Sequence, residues 1–179
     1  MEIENYHDFS RDGITVQSAM LRAASSNLYI RKTPPTIRWG MLALQTSDIV
    51  HVPNEGRFRL ELLKLGADGI RQGVDVRVDG AIVMTDGAEV DTLRTWFTSE
   101  YEDFVEYSYR STSGELRLWN VFETKNPAGE SFASKWTGNA ALQFVQVSNA
   151  CREYHCSPGN LSVVDLESFV FRLRVTSAR

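Results

Sequence analysis

The stretch "SFVFRLRV", Ser168 to Val175, decides the fold class of this chain. Phe169, Phe171, Leu173 and Val175 alternate with Arg172 and Arg174, and only Val170 departs from the pattern. A period of two sends successive side chains to opposite faces, so the stretch predicts a strand with an apolar face on a core and a basic face toward water. Working outward, comparable stretches are "TIRWGMLAL" (Thr36 to Leu44), "RFRLELLKL" (Arg57 to Leu65), "GVDVRVDG" (Gly73 to Gly80), "FVEYSYRS" (Phe104 to Ser111), "ELRLWNVFE" (Glu115 to Glu123) and "NAALQFVQV" (Asn139 to Val147). Turn signals stand between them, among them "PNEG" at 53–56, "TDG" at 85–87, "STSG" at 111–114, "NPAGE" at 126–130 and "SPGN" at 157–160. With a further strand near "AIVM" (81–84) or "DTLRTWF" (91–97), roughly eight to ten short strands result, the signature of a sandwich or barrel.

The expected fold is therefore all-β: an antiparallel β-sandwich of jelly-roll type, one domain over residues 1–179, with flexible ends at 1–12 and 176–179. Its central strands come from residues 101–123, where "FVEYSYRS" and "ELRLWNVFE" are expected to form a hairpin about "TSG", and from 139–147. "VQSAMLRAASSNLYI" (16–30) reads either as two helical turns, being rich in Ala, Met, Leu and Arg, or as an edge strand with a loop. "LELLKLG" has a helical spacing of leucines, but the alternation of "RFRLEL" favours a strand.

At 179 residues the chain can bury a continuous core without help from disulfides or a metal. Its 23 acidic and 19 basic side chains give a net charge of −4, and neither sign is gathered into a long block. The short basic stretches at 29–32 and 171–179 fall short of the stripe that nucleic-acid binding needs, so no nucleic acid is expected as partner. The start "MEIENYHDFSRDG" is acidic and polar, unlike a secretory signal, and no apolar run approaches the roughly 18 residues of a membrane span. The expectation is a cytoplasmic protein with no membrane association. No strand, glycine-rich loop and helix unit is present to hold a nucleotide phosphate.

Four groups of residues are candidates for a site. "NACREYHCSPGN" (149–160) holds both cysteines and one of the three histidines. Cys151, His155 and Cys156 would have to bend sharply to share a metal and lack a second local ligand pair; either cysteine as nucleophile would need a base such as His51. The simplest reading is a turn between two strands flanked by two small, partly buried cysteines. The acidic loops supply Asp86 and Asp91, with Asp165 from "NLSVVDLESF" as a second donor region. Ca²⁺ takes about six to eight oxygens, but the spacing matches no EF-hand, and the aspartates of "VDVRVDG" read simply as the solvent face of a strand and its turn. No cofactor is expected beyond this candidate Ca²⁺.

Glu115 and Glu123 have the same parity on one strand and, with His51, are the candidates for hydrolytic chemistry; surface glutamates at strand ends explain them equally simply. The row between them contains Arg117, Trp119 and Val121. Trp96, Arg117, Trp119 and Trp136 make a ligand-binding set, since recognition by a sheet uses an aromatic platform flanked by hydrogen-bonding groups; Trp119 reads at least as well as a core residue, because Leu118, Val121 and Phe122 leave the inward face ambiguous. Trp136, in "SKWTGN", lies in polar loop sequence and is expected to be partly exposed.

The ending "VVDLESFVFRLRV" and the Gly and Asp turns resemble jelly-roll carbohydrate-binding modules, whose last strand often follows an acidic residue. The resemblance extends over about the last fifteen residues in pattern, and what it implies is a structural calcium and an aromatic sugar platform. The leading expectation is a non-catalytic module that binds a glycan or a protein partner, with a homodimer as a plausible assembly. The alternatives are a small hydrolase or cyclase-like enzyme using Glu and His in a β cavity, and a structural assembly or immunity component.

Overall fold

The computed structural model describes residues 5–24, 35–66, 69–98 and 104–178. They form a mostly antiparallel protein of two sheets, consistent with a β-sandwich. "SFVFRLRV" runs into β12 (Phe169–Ser177), with Phe169, Phe171 and Leu173 buried and Arg174 exposed as its alternation requires. It lies between β11 (Cys151–Ser157) and β5 (Glu55–Leu65). Beyond β11 comes the edge strand β10 (Ala141–Ser148); beyond β5 come β8 (Phe104–Lys125), β6 (Gln72–Val83) and the other edge, β7 (Glu89–Phe97). Two short strands, β4 (Asp48–His51) and β9 (Ser131–Ser134), also pair with β8. The smaller sheet contains β1 (Asn5–Asp8), β2 (Ile37–Trp39) and β3 (Leu42–Leu44), and β1 with β2 is the parallel pair.

Strands β10 and β7 stand at opposite ends of the large sheet, yet a chain of rings connects them. Phe144 meets Tyr154 at 5.9 Å, Tyr154 meets Phe171 at 5.0 Å, Phe171 meets Phe169 at 5.2 Å, and Phe169 meets Phe97 of β7 at 5.8 Å. The sheet therefore rolls over so that its two halves share one core, the arrangement in which a large twisted sheet hides its apolar face. Val50, Phe58, Val76, Tyr109, Leu118 and Tyr154 belong to the same cluster.

The expected hairpin about "TSG" is absent: β8 is one strand of 22 residues. Its first half pairs with β5 and its second half with β4, while β6 accompanies it along both. Val78 faces Leu116 and Gly80 faces Ser111, so residues 112–115 bulge opposite Asp79. A bulge bends its strand, and at this one β8 passes from one half of the sandwich to the other. Gly80 is required there, because it has φ 155° and a Cβ would stand 2.2 Å from the Arg110 carbonyl oxygen.

Several other expectations are revised. "TIRWGMLAL" is split into β2 and β3 by Gly40 at φ 62°, a left-handed turn that glycine adopts without strain. The described residues contain twelve strands, because short β1, β3, β4 and β9 carry too few residues to display a period. Of the segment 1–12, expected to be flexible, residues 1–4 lie outside the described residues, while Asn5–Asp8 form β1 and Phe9–Arg11 a 3-10 turn with Phe9 buried. The Asp8 carboxylate accepts bonds from the Ser10 hydroxyl, the Gly40 N–H and the Ser10 N–H, which hold its pKa down at about 2. At the other end β12 continues to Ser177, and the Ala178 N–H donates to the Glu55 carbonyl.

The two-way reading of 16–30 resolves as a helix over its first half, α1 (Val16–Ala23), capped by the Thr15 hydroxyl, which accepts from the Ser18 N–H at 3.2 Å. Residues 25–30 lie outside the described residues. Val16, Ala19 and Met20 pack with Phe9, Ile37, Leu44 and Ala141 into a second, smaller core. No helix among the described residues is long and apolar enough to cross a membrane.

Candidate functional site

On the outward face of β7, β6 and β8 the register aligns three rows. Trp96, Gly73 and Val121 form one; Arg94, Asp75 and Trp119 the next; Thr92, Arg77 and Arg117 the third. The middle row is a closed polar unit. Arg94 grips Asp75 through Nε at 2.7 Å and Nη2 at 2.8 Å, and the Trp119 Nε1–H donates to the same carboxylate at 3.0 Å. Asp75 is only 2% exposed, which corrects its reading as a solvent-facing aspartate. A buried carboxylate persists when its lone pairs are taken by charged and neutral donors, and the bond to Asp75 raises the pKa of Arg94.

Trp119 is 3% exposed, the core placement that its apolar neighbours left open, and is not an open platform. Trp136 covers it, ring centroid to ring centroid 5.2 Å, and Lys135 Nζ lies 4.8 Å from the Trp119 ring and 4.5 Å from that of Trp136. Trp136 itself is 42% exposed, as its loop position predicts. Trp96 is half-buried, with the guanidinium of Arg71 4.6 Å and that of Arg94 5.8 Å from its ring. The three tryptophans picked from the sequence thus share one face, interleaved with cations. Such pairs are worth about 0.5–1 kcal/mol each at exposed sites.

Trp136 owes its position to a close approach of two loops. It follows β9 and precedes Gly138, whose backbone stands against Gly159 so tightly that a Cβ on Gly159 would lie 2.1 Å from the Thr137 oxygen and 2.5 Å from Phe122. The Asn139 N–H donates to the Gly159 carbonyl at 3.1 Å. Gly159→Ala is expected to lower unfolding free energy by about 2 kcal/mol, read as a lower urea midpoint with unchanged slope. Trp136 fluorescence should change with it, because the displaced loop carries that ring.

Next to this face lies a cleft of about 490 Å³ lined by Arg77, Asp79, Asp91, Ser113, Glu115 and Arg117. Arg117 is two residues from Trp119 on the same face of β8, about 7 Å along the strand. The structure thus brings Arg117, Glu115 and Asp91 together in one cleft, with Arg117 the member nearest Trp119 along β8.

It does not pair the carboxylates proposed for hydrolysis. Glu115 and Glu123 are eight residues apart on one strand, about 26 Å at the usual rise, whereas acid and base on one glycosidic bond stand about 5 to 9 Å apart. Glu123 is instead within 4.0 Å of Arg71. His51 is exposed and sits opposite Glu115 in the β4–β8 register.

The metal candidates are dispersed. Asp86 accepts the Ala88 N–H in the β6–β7 turn, Asp165 accepts the Glu167 N–H ahead of β12, and Asp91 lines the cleft. Among the described residues no three His, Cys, Asp or Glu side chains gather in a group that could hold a metal ion.

"CREYHC" is not a turn but strand β11, paired on both sides. Its cysteines are free and, five residues apart, fall on opposite faces. Cys156 lies in the main core, where burial pushes its thiol far up and removes it as a nucleophile. His155 bonds Glu167 through Nδ1 at 3.0 Å and Glu153 through Nε2 at 3.1 Å. Burial works against the charge on Glu153, but Arg172 and His155 outweigh it and hold the carboxyl below its ordinary range; Lys64 and His155 do the same for Glu167.

Sequence reasoning missed Arg71, Arg94 and Lys135, the cations that lie against the tryptophans of this face. A period of two marks Arg94 as outward, but the register that sets it beside Asp75 is a tertiary fact. Comparison with protein-family models, with curated proteins and with solved structures finds no match for the chain.

Proposed function

We propose that this protein is a non-catalytic binding module that recognises a glycan, with a sugar ring stacked on Trp136 and its hydroxyls met by the cleft of Arg77, Asp91, Glu115 and Arg117. The observation that carries this reading is Trp136. At φ 58° it is the non-glycine residue in the left-handed region among the described residues. Left-handed backbone costs a residue with a Cβ about 1–2 kcal/mol, and such strain clusters at functional sites. Here it holds a half-exposed indole over a second indole and a lysine, a rigid surface that a sugar face can meet with little loss of side-chain entropy. The mixed donors and acceptors of the cleft suit hydroxyl groups. The jelly-roll topology and the resemblance to carbohydrate-binding modules belong to this same proposal.

Screening on a glycan array, followed by titration calorimetry of the best ligand, tests it. Trp136→Ala is expected to weaken binding about tenfold or more, about 1.4 kcal/mol, with the thermal midpoint nearly unchanged. Equal binding by wild type and W136A would overturn the reading. Capture of a protein through the same face, with no glycan bound, would move the function to a protein partner. A second reading, hydrolysis, rests on the His51–Glu115 register; turnover of chromogenic glycosides lost in both His51→Ala and Glu115→Gln would favour it.

A further inference from the structure

Between β4 on one side and β10, β11 and β12 on the other lies a second cleft, of about 520 Å³, inside the range of roughly 300–1,000 Å³ usual for small-molecule sites. Val50, Leu173 and Val175 give it an apolar wall that continues into the main core. Its polar lining includes Arg152, Gln146 and His51. Among the described residues no aspartate or glutamate lines it, in a chain whose net charge is −4. The cleft near the tryptophans is the opposite case, lined by Asp79, Asp91 and Glu115.

Arg152 is fixed in this cleft from several sides. Its Nη1 donates to Asp48 at 2.6 Å, its Nε donates to Gln146 Oε1 at 2.9 Å, and the guanidinium carbon lies 4.4 Å from the Phe144 ring centroid. Among the described residues Nη2 is left without a hydrogen bond, and the side chain is 21% exposed. An arginine held in this way lost its rotamer freedom on folding, so meeting a ligand costs it little further entropy. Hydrogen bonds from such a charged donor to a carboxylate are about twice as strong as neutral ones. Asp48 offsets part of the charge, but the same oxygen also takes the Tyr154 hydroxyl.

We infer that this cleft is a ligand site for a small organic acid with an apolar body. The carboxylate accepts from Arg152 Nη2, and the body lies along Val50, Leu173 and Val175. Each half of the cleft excludes a simpler ligand. A hydrocarbon alone would strip water from Nη2 and give it no acceptor, while a bare inorganic anion would leave the apolar wall unused. A small acid with an apolar body uses both.

The test titrates the full chain with hexanoate, octanoate and phenylacetate and with the primary amide of each, read by calorimetry and by amide chemical shifts. The acids are expected to bind with millimolar or tighter affinity, at least about tenfold more tightly than their amides, with shifts centred on Val50, Arg152, Leu173 and Val175. Arg152→Lys keeps a cation within reach of Asp48 but loses the planar fork. In that variant the acids should bind no better than the amides, and the affinity of the amides should be unchanged. Val175→Trp fills the cleft from β12 at a half-buried position and should abolish binding of acid and amide alike, with circular dichroism close to wild type. If R152K does not fold, V175W and the comparison of acid with amide decide the question. Failure of all three acids to bind at millimolar concentration would overturn the inference. So would equal affinity for acids and amides, shifts gathered around Trp136 instead, or a V175W variant that binds as wild type does.

Discussion

Asp48→Ala is expected to lower unfolding free energy by about 3 to 5 kcal/mol, a large part of a domain's total stability. Asp48 is buried on β4 and its Oδ2 takes two donors from β11: Arg152 Nη1 at 2.6 Å and the Tyr154 hydroxyl at 2.8 Å. Tyr154 is fully enclosed, and burial followed by the charge of Asp48 keeps its hydroxyl protonated far above the ordinary range, so it is bound to act as donor. Burial also works against the charge of Arg152, but Asp48 and Tyr154 outweigh it and leave its pKa raised. With alanine in place of Asp48 a phenol loses its acceptor and a guanidinium, 21% exposed, loses its carboxylate. Among the described residues Arg152 would keep its bond to Gln146 and its stacking on Phe144, 4.4 Å from the ring centroid. Urea unfolding reads the loss directly. Tyr154→Phe should cost about 1 kcal/mol, because the aspartate keeps its charged partner. Equal losses for D48A and Y154F would show that the ion pair across the sandwich contributes little.

Asp75→Ala is expected to cost about 2 to 3 kcal/mol, less than Asp48→Ala although the carboxylate is equally buried. The difference lies in the partner: the Arg94 side chain is 39% exposed and regains water when the carboxylate goes. The lasting penalty is the Trp119 Nε1–H, left without an acceptor in a buried position, together with the cavity. This substitution reaches the proposed site as well, since Trp119 is the floor on which Trp136 rests. Glycan affinity in D75A should fall by about threefold to tenfold, and tryptophan emission should shift as Trp119 changes environment. The double variant D75A/R94A should lose less than the sum of the single losses, because each single change removes the same pair. Strict additivity would mean that Arg94 and Asp75 do not act as a unit.

Both carboxylates illustrate what could be read in advance. Asp75 was visible as one member of an alternating "DVRV", and alternation assigned it to the face opposite Val74 and Val76. That assignment of face holds, yet Arg94 and Trp119 close over the carboxylate there, so an outward aspartate is a buried one. Asp48 sits in a strand of four residues, too short for a period to appear, and its partners are more than 100 positions away in the chain. The tryptophans were chosen for their chemistry and share one face, with Trp119 as the covered floor and Trp136 as the exposed surface that its polar loop sequence suggests. The reading of "CREYHC" as a turn failed because its polar and charged residues resemble a loop. As a strand, its outward Glu153 and His155 pair with Arg172 and Glu167 instead of with water alone.

What the sequence by itself determined is the class of the protein: a period of two, set by backbone geometry, makes β12, β5 and β7 strands with one apolar face whatever their neighbours. The helix at 16–23 and the turn at Gly40 are also local matters, of a threonine cap in one case and a left-handed glycine in the other. The tertiary structure alone decided that β8 continues through "TSG" as a bulge, since only β6, running along both halves, holds those halves in line. It decided too that Arg94, Asp75 and Trp119 form one row. Register and strand order depend on which distant residues pack in the shared core, and no local period encodes that choice.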